Sequence, residues 1–298
     1  MVTEPDAHSG PPPSVKARVA RALGWEPLAW RRVTGGYSAA ARYVAAADGR
    51  SVFVKVGVSA LTSRLLSREI EAYRKVSAPF MPEMIGYDAD AESPFLITED
   101  LSAATWPPPW TSATVDAVLR TIESMHATPA DLPKGGLLDG RESGWPTVAE
   151  DPGAFLALGL VSREWLERAL PVLVEAEAAC VFTGDALTHL DLRSDNMCIA
   201  RDGVKFIDWA EARLSHPDVD TGFWLPSLAY EGGPLPEDIL PDAPAIAAAV
   251  SGFFAARAGL PVIPDAPYVR RVQREQLSAA LPWVQRALGL PPLDGSAA

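Results

Sequence analysis

Residues 189–196 read HLDLRSDN, and twelve residues beyond Asn196 comes Asp208, within FIDW at 206–209. This short segment holds a carboxylate, an amide and a second carboxylate, the set that phosphoryl transfer requires. Moving the terminal phosphoryl group of ATP to a hydroxyl asks little covalent work of a protein. It does need a carboxylate to orient the hydroxyl and accept its proton, and Asp191 suits that role. The phosphates must also be screened by Mg²⁺, a hard ion that takes oxygen ligands and keeps several waters, so one or two protein groups suffice. Asn196 and Asp208 suit that role. Residues 197–200 and 204–207 read as short apolar strands around Arg201, Asp202 and Gly203, an Asp-Gly hairpin signal. Such a hairpin would fold Asp208 back beside Asn196. The alternative is that these polar residues only cap a buried hairpin.

HLDLRSDN followed by IDW resembles the catalytic segment of the aminoglycoside phosphotransferase family, a branch of the protein-kinase-like fold. The family's usual pattern is His-Gly-Asp-x-x-x-x-Asn and then Ile-Asp-Trp or Ile-Asp-Phe; Leu190 stands where its Gly usually is. The resemblance implies an α+β, bilobed protein-kinase-like fold. A small N-terminal antiparallel sheet plus one helix would precede a larger, mainly helical C-terminal lobe.

A kinase-like site needs a strand lysine that reaches the phosphates and a glutamate on the next helix to hold it. In 51–57, SVFVKVG, alternation puts Val52, Val54 and Val56 on one face and Phe53 and Lys55 on the other. Lys55 is the candidate lysine; the resemblance places Phe53 against adenine. Residues 61–76 have helical spacing and offer Glu69 and Glu71. These side chains point about 200° apart, so only one can face Lys55. The family's Arg-Glu pattern, matched by Arg68-Glu69, favours Glu69, and Glu71 is left to surface pairs.

Upstream, Gly35, Gly36, Tyr37 and Ser38 form a turn between the apolar segments 28–33 and 43–46. Glycines there let backbone amides approach phosphates, although such pairs also mark ordinary hairpins. Residues 95–101, FLITEDL, follow the apolar piece 84–87 and resemble the family's hinge. Thr98, Glu99, Asp100 and Leu101 would meet adenine there, Glu99 and Asp100 through backbone groups. Past the loop, 216–220 resembles the family's Asp-Pro-x-x-Asp stretch, with His216 in place of the first aspartate. Asp220 matches the second, which braces the catalytic loop in relatives. Asp218 and Asp220 also suit a helix N-terminus. His189 reads as a structural histidine. Arg193 could approach a phosphate or pair with Asp195.

The expected organisation is a disordered, Pro-rich stretch at 1–13, a nucleotide-binding lobe at 14–101 with its hinge at 98–101, and a helical lobe at 102–298 holding the catalytic loop and acceptor site. Helical patterns cover 113–125 and 162–178. Asp242 and Asp265 are plausible caps ahead of helices at 245–256 and 268–288, and Pro282 should kink or interrupt the last. No signal-peptide core or membrane-spanning run is present, and Cys180 and Cys198 fit neither a disulfide framework nor a metal site. A cytoplasmic enzyme is the simplest account.

With 26 basic and 38 acidic residues, the net charge of -12 argues against nucleic acid or an anionic membrane as partner. It suits a small hydroxylated substrate that is cationic, such as an aminoglycoside or amino sugar, although acidity also serves solubility. Glu211, Glu231, Glu237, Asp238 and Asp242 are the candidate substrate-facing acids, and Trp224 and Tyr230 the candidate aromatic walls. The expected function is transfer of the terminal phosphoryl group of MgATP to a hydroxyl of such a molecule. Two alternatives are a nucleotide-binding pseudokinase, which Leu190 favours, and a binding protein without nucleotide. Spacing carries no sign of oligomeric state.

Overall fold

In a computed structural model, which describes residues 10–34, 39–89, 92–135, 144–264 and 266–295, the first element is a helix, α1 (Pro13–Leu23). Residues 10–13, included in the stretch expected to be disordered, are among those described. Pro11 is buried and Pro13 opens the helix, where a missing N–H costs nothing. Gly24 ends it at φ 71°, a backbone that glycine adopts without strain. Val15 and Val19, four residues apart, bury one face of α1.

Four antiparallel pairings then build a five-stranded sheet. Its strands are β1 (Ala29–Arg32), β2 (Ala41–Ala47), β3 (Arg50–Val56), β4 (Met84–Asp88) and β5 (Phe95–Glu99), in the spatial order β1-β2-β3-β5-β4. Val52, Val54 and Val56 of β3 join Val15, Val19, Tyr43, Ala45, Phe95 and Ile97 in one apolar core, as period-two alternation requires. The opposite face is left to Phe53 and Lys55. Between β3 and β4 lies α2 (Ala60–Lys75), whose start is fixed by a reciprocal cap between Ser59 and Thr62.

The chain next forms α3 (Ser112–His126), α4 (Trp145–Glu150), α5 (Gly153–Leu156), α6 (Arg163–Ala178) and β6 (Ala186–Thr188). A 3₁₀ turn, Ser194–Asn196, leads into the hairpin β7 (Met197–Ala200) and β8 (Gly203–Phe206), paired from Met197↔Phe206 to Ala200↔Gly203. The turn is therefore Arg201-Asp202, with Gly203 already in the strand. After β9 (Arg213–Ser215), which pairs with β6, come α7 (Pro217–Tyr230), α8 (Pro236–Ile239), α9 (Pro244–Ala258) and α10 (Val269–Ala287).

The chain divides into two units, and not at a single cut near Leu101. Met1–Trp106 is joined by Met197–Glu211, and Pro107–Asn196 by Ala212–Ala298. Non-local bonds explain why the hairpin belongs with the first unit. Thr105 and Ile199 exchange backbone hydrogen bonds at 3.0 and 2.8 Å, and the Phe206 N–H donates to the Phe80 carbonyl at 2.7 Å. The Phe80 ring lies against those of Phe206 and Trp209. Lys205 pairs with Glu99 at 3.4 Å.

Cys198, buried on β7, has its thiol pushed up to about 12 by burial and the charge of Glu99; burial and Glu177 push Cys180 to about 11. Because the thiolate is the reactive form, native protein at about pH 8 should react slowly with Ellman's reagent and denatured protein should react at both sites. Rapid native reaction at Cys198 would contradict its placement.

In the second unit, α9 is buried on nearly every side, and its small residues let α4, α6, α7 and α10 pack close to it. It begins at Pro244 with Ala243 as cap, so Asp242 is not the cap expected; Asp265 lies outside the described residues. Helix α10 runs through Pro282 without interruption, its packing carried by the buried Leu281, Trp283 and Val284 on either side. Among the described residues, no helix is long and apolar enough to cross a membrane.

Glu177, buried on α6, accepts from the backbone N–H groups of Gly144 (2.8 Å) and Trp145 (2.6 Å), where α4 begins. Glu177→Ala leaves both donors unpaired. It is expected to lower unfolding stability by about 3 kcal/mol in urea titration; a loss under about 0.5 kcal/mol would sink this account of the pin.

Candidate active site

In the first unit, β3 delivers Lys55 and α2 delivers Glu69. The lysine Nζ lies 2.6 Å from Glu69 Oε2 and 3.0 Å from Asp208 Oδ1. Glu69 is 3% exposed. Glu71, on the other side of α2, pairs with Lys75 at 3.0 Å, one turn along, so the 200° argument and the Arg-Glu pattern choose the same residue. Burial works against the ammonium charge, but the carboxylates of Asp208 and Glu69 outweigh it and hold the Lys55 pKa above its ordinary value. Asp208 follows β8 with a left-handed backbone, φ 66°, which turns its carboxylate out of the strand's alternation. The Lys55 cation is thus shared by two carboxylates.

Phe53 is half-buried on the face of Lys55, paired across the sheet with Thr98. At the end of β5, the Glu99 carboxylate accepts from the Glu83 N–H at 3.0 Å, and the Glu99 N–H donates to the Glu83 carbonyl at 3.0 Å. Asp100 accepts from the Ser102 N–H at 2.9 Å, and the Leu101 carbonyl from the Ala104 N–H at 3.0 Å. The side chains of Glu99 and Asp100 thus hold the local chain. Gly35, Gly36, Tyr37 and Ser38 lie outside the described residues.

In the second unit the loop 189–196 leaves β6 through two residues whose amides converge on one carboxylate. Asp220, 0% exposed in the first turn of α7, accepts from His189 N–H at 3.1 Å and Leu190 N–H at 2.7 Å. Leu190 has φ 58°, the left-handed region in which an L-residue costs about 1–2 kcal/mol and glycine costs none. The buried Leu190 side chain and the bonds to Asp220 offset the strain and hold the turn.

Asp191 is held from both sides. Asn196 Nδ2 donates to its carbonyl at 2.8 Å and to Oδ2 at 3.0 Å, and Arg193 forms an ion pair with Oδ1. Arg193 also bonds Asp195 through Nε at 3.0 Å, so it bridges the two carboxylates. His189 accepts from the Asp191 N–H at Nδ1, 3.3 Å, a structural use of the ring.

Two partners of the acids that hold this loop went unread in the sequence. His126, on the last turn of α3, lies with Nε2 3.0 Å from Asp220 Oδ2. Trp110 donates from Nε1 to Glu231 Oε2 at 2.8 Å, and Ser194 Oγ bonds Glu231 Oε1 at 2.5 Å. The only local signal for His126 is a polar end to an amphipathic helix, and for Trp110 there is none. Removing the Asp220 carboxylate would leave two buried amides unpaired, so Asp220→Ala is expected to cost about 3–5 kcal/mol in chemical denaturation. A loss under about 1 kcal/mol would contradict its bracing role.

The acids and aromatics expected to face an acceptor lie in differing surroundings. Trp224 is 0% exposed, its ring edge-on to Trp110 at 5.7 Å between centroids, so it is core and not an open wall. Both Glu231 oxygens are engaged as described. Glu237 pairs with Arg286, Asp238 accepts from the Leu235 N–H, and Asp242 sits in a left-handed turn. Glu211, in the first unit, lies 3.9 Å from Arg68. Tyr230 is 54% exposed. His216 caps α7 by accepting from the Asp218 N–H.

An antiparallel sheet carrying a lysine–glutamate pair, followed by a mostly helical remainder with an Asp-x-x-x-x-Asn loop, defines a small-molecule kinase of the protein-kinase-like fold. The chain belongs to the phosphotransferase enzyme family, whose model matches residues 29–253. Among solved structures, it is similar to a thermostable mutant of aminoglycoside phosphotransferase APH(4)-Ia in ternary complex with ADP and hygromycin B. That likeness has 16% identity, a TM-score of 0.57, and coverage of 93% of this chain and 98% of that one. Choline kinase LicA from Streptococcus pneumoniae is similar at 14% identity and a TM-score of 0.57, over 93% of this chain and 98% of LicA. LicA in complex with AMP gives 15% and 0.52, over 93% and 96%. Likenesses at such identities speak for the fold. No curated protein matches the chain by sequence.

Proposed function

We propose that the chain transfers the terminal phosphoryl group of ATP to a hydroxyl of a small molecule, an aminoglycoside or amino sugar being the class that its acidity favours. The observation that carries this reading is Lys55 held between Glu69 and Asp208. A structural ion pair needs one carboxylate, whereas a lysine that answers to both a helix glutamate and a loop aspartate suits a phosphate site. Thr98, Glu99, Asp100 and Leu101, with Phe53, would receive adenine, and Gly35, Gly36, Tyr37 and Ser38 would cover the phosphates.

The proposed metal ligands have the chemistry Mg²⁺ takes: Asp208 has a carboxylate, and Asn196, whose Nδ2 faces Asp191, has an amide oxygen to offer. Bound there, the ion would screen the phosphate charge. The chain's own residues do the rest. Lys55 holds phosphate oxygens, and Asn196 keeps the Asp191 carboxylate in one orientation. Asp191 aligns the acceptor hydroxyl and takes its proton as the oxygen–phosphorus bond forms. ATP chemistry suits the cytoplasm. Neighbouring structures hold ADP or AMP, and some hold hygromycin B; those ligands motivate the panel of acceptors. The pseudokinase reading rested on Leu190, and the left-handed turn at that residue gives it no support.

Calorimetric titration with ATP, with and without Mg²⁺, tests the nucleotide half of the reading. The expected result is binding that strengthens with the metal; absence of binding under both conditions would refute it.

A further inference from the structure

The acidic residue at the end of α7 looks at first like a recognition group for a cationic acceptor, but both its oxygens are turned inward. Glu231 Oε1 takes the Ser194 hydroxyl at 2.5 Å, and Oε2 takes the Trp110 indole N–H at 2.8 Å. Ser194 is a buried member of the catalytic loop, at the start of the 3₁₀ turn that ends in Asn196. Trp110 lies just ahead of α3, and its ring meets the buried Trp224 of α7.

Helix α7 thus touches the loop at both of its ends. Asp220, in the first turn, receives the amides of His189 and Leu190; Glu231, one residue past the last turn, receives Ser194. Eleven residues of helix separate the two acids, about 16 Å at 1.5 Å per residue. The four steps from Leu190 to Ser194 span at most about 14 Å when extended. The loop is tied to α7 near both of the helix's ends, and Asp191 lies between the ties.

We infer that Glu231 is a positioning residue. It acts through Ser194 to hold the 191–196 segment in register along α7, and it links that register to Trp110. The inference rests on the phosphotransferase reading, since positioning matters only if Asp191 acts on a substrate. Its chemistry separates it from charge recognition. Holding Ser194 and Trp110 requires hydrogen-bonding geometry, not a negative charge. A glutamine can accept from the indole N–H with its oxygen and donate to the serine hydroxyl with its nitrogen.

The test compares Glu231→Ala, Glu231→Gln, Ser194→Ala and the Ser194→Ala/Glu231→Ala double variant. Turnover is measured with the acceptor found in a panel or, failing one, with water as acceptor in MgATP hydrolysis. Positioning predicts that Glu231→Ala lowers kcat about tenfold to a hundredfold with acceptor KM little changed. Glu231→Gln recovers most of that loss, and Glu231→Ala costs much less in the Ser194→Ala background. Hydrogen exchange at amides 191–196 should quicken about tenfold in Glu231→Ala, a readout that needs no turnover and so separates failure of this inference from failure of the phosphotransferase reading. Unchanged exchange would overturn the inference. So would a Glu231→Gln variant whose acceptor KM rises about tenfold at constant kcat, the mark of a charge contact with substrate.

Discussion

Asp191→Ala is expected to lower kcat by about 10³- to 10⁴-fold while MgATP affinity stays within about threefold of the parent. The size follows from losing the group that accepts the acceptor's proton and aligns its oxygen. The selectivity follows from the roles proposed: Lys55, held by Glu69 and Asp208, serves the nucleotide, and Asp191 serves the acceptor hydroxyl. The loop should survive the change. Asn196 keeps its bond to the residue 191 carbonyl, Arg193 keeps Asp195, and Asp220 keeps the amides of His189 and Leu190. Single-turnover kinetics beside calorimetry would measure both quantities. A variant with kcat within tenfold of the parent would remove Asp191 from its role, and a variant that no longer binds MgATP would show a structural role instead.

Asp208→Ala should act on the other half of the chemistry. It removes a proposed metal ligand and one of the two carboxylates that hold Lys55, but it spares the 2.6 Å pair between Lys55 and Glu69. MgATP affinity is expected to fall about a hundredfold, close to 3 kcal/mol, with most of the metal dependence lost. Affinity for ATP without metal should change far less. The comparison is a pair of titrations, with Mg²⁺ and with chelator. If the ratio of the two affinities were unchanged by the substitution, Asp208 would not be a metal ligand.

The sequence carried the parts of the site whose geometry is local. Alternation in β3 separates Val52, Val54 and Val56 from Lys55, and the core cluster divides them the same way. The angle between Glu69 and Glu71 on α2 leaves one partner for the lysine, and Glu71 pairs with Lys75 as a surface residue should. The hairpin signal placed β7 and β8 to within a residue. Asp220 could be read as a brace from its place after HP, and its carboxylate does receive the loop amides.

What stayed hidden depends on contacts far apart in the chain. His126 is 94 residues from Asp220, and Trp110 is 121 from Glu231; no spacing rule joins such pairs. Assignment of the hairpin to the first unit needs Thr105, Phe80 and Glu99, each about 100 residues or more away. Trp224, expected as a binding wall, is core because α7 is apolar on all sides, and an all-round apolar helix is buried. Helix α1 was legible in Val15, Val19 and Leu23 at helical spacing behind a proline start, but the prolines before it masked the pattern.

The most direct test of the central claim is ADP release from MgATP across aminoglycosides, amino sugars, choline-like alcohols and macrolides, with Asp191→Ala as control and mass spectrometry of the acceptor. The account predicts release that depends on one acceptor class, is lost in the variant, and is matched by one phosphoryl group gained on a hydroxyl. Acceptor-dependent release that persists undiminished in Asp191→Ala, or ADP formed without any phosphorylated acceptor across the panel, would contradict it.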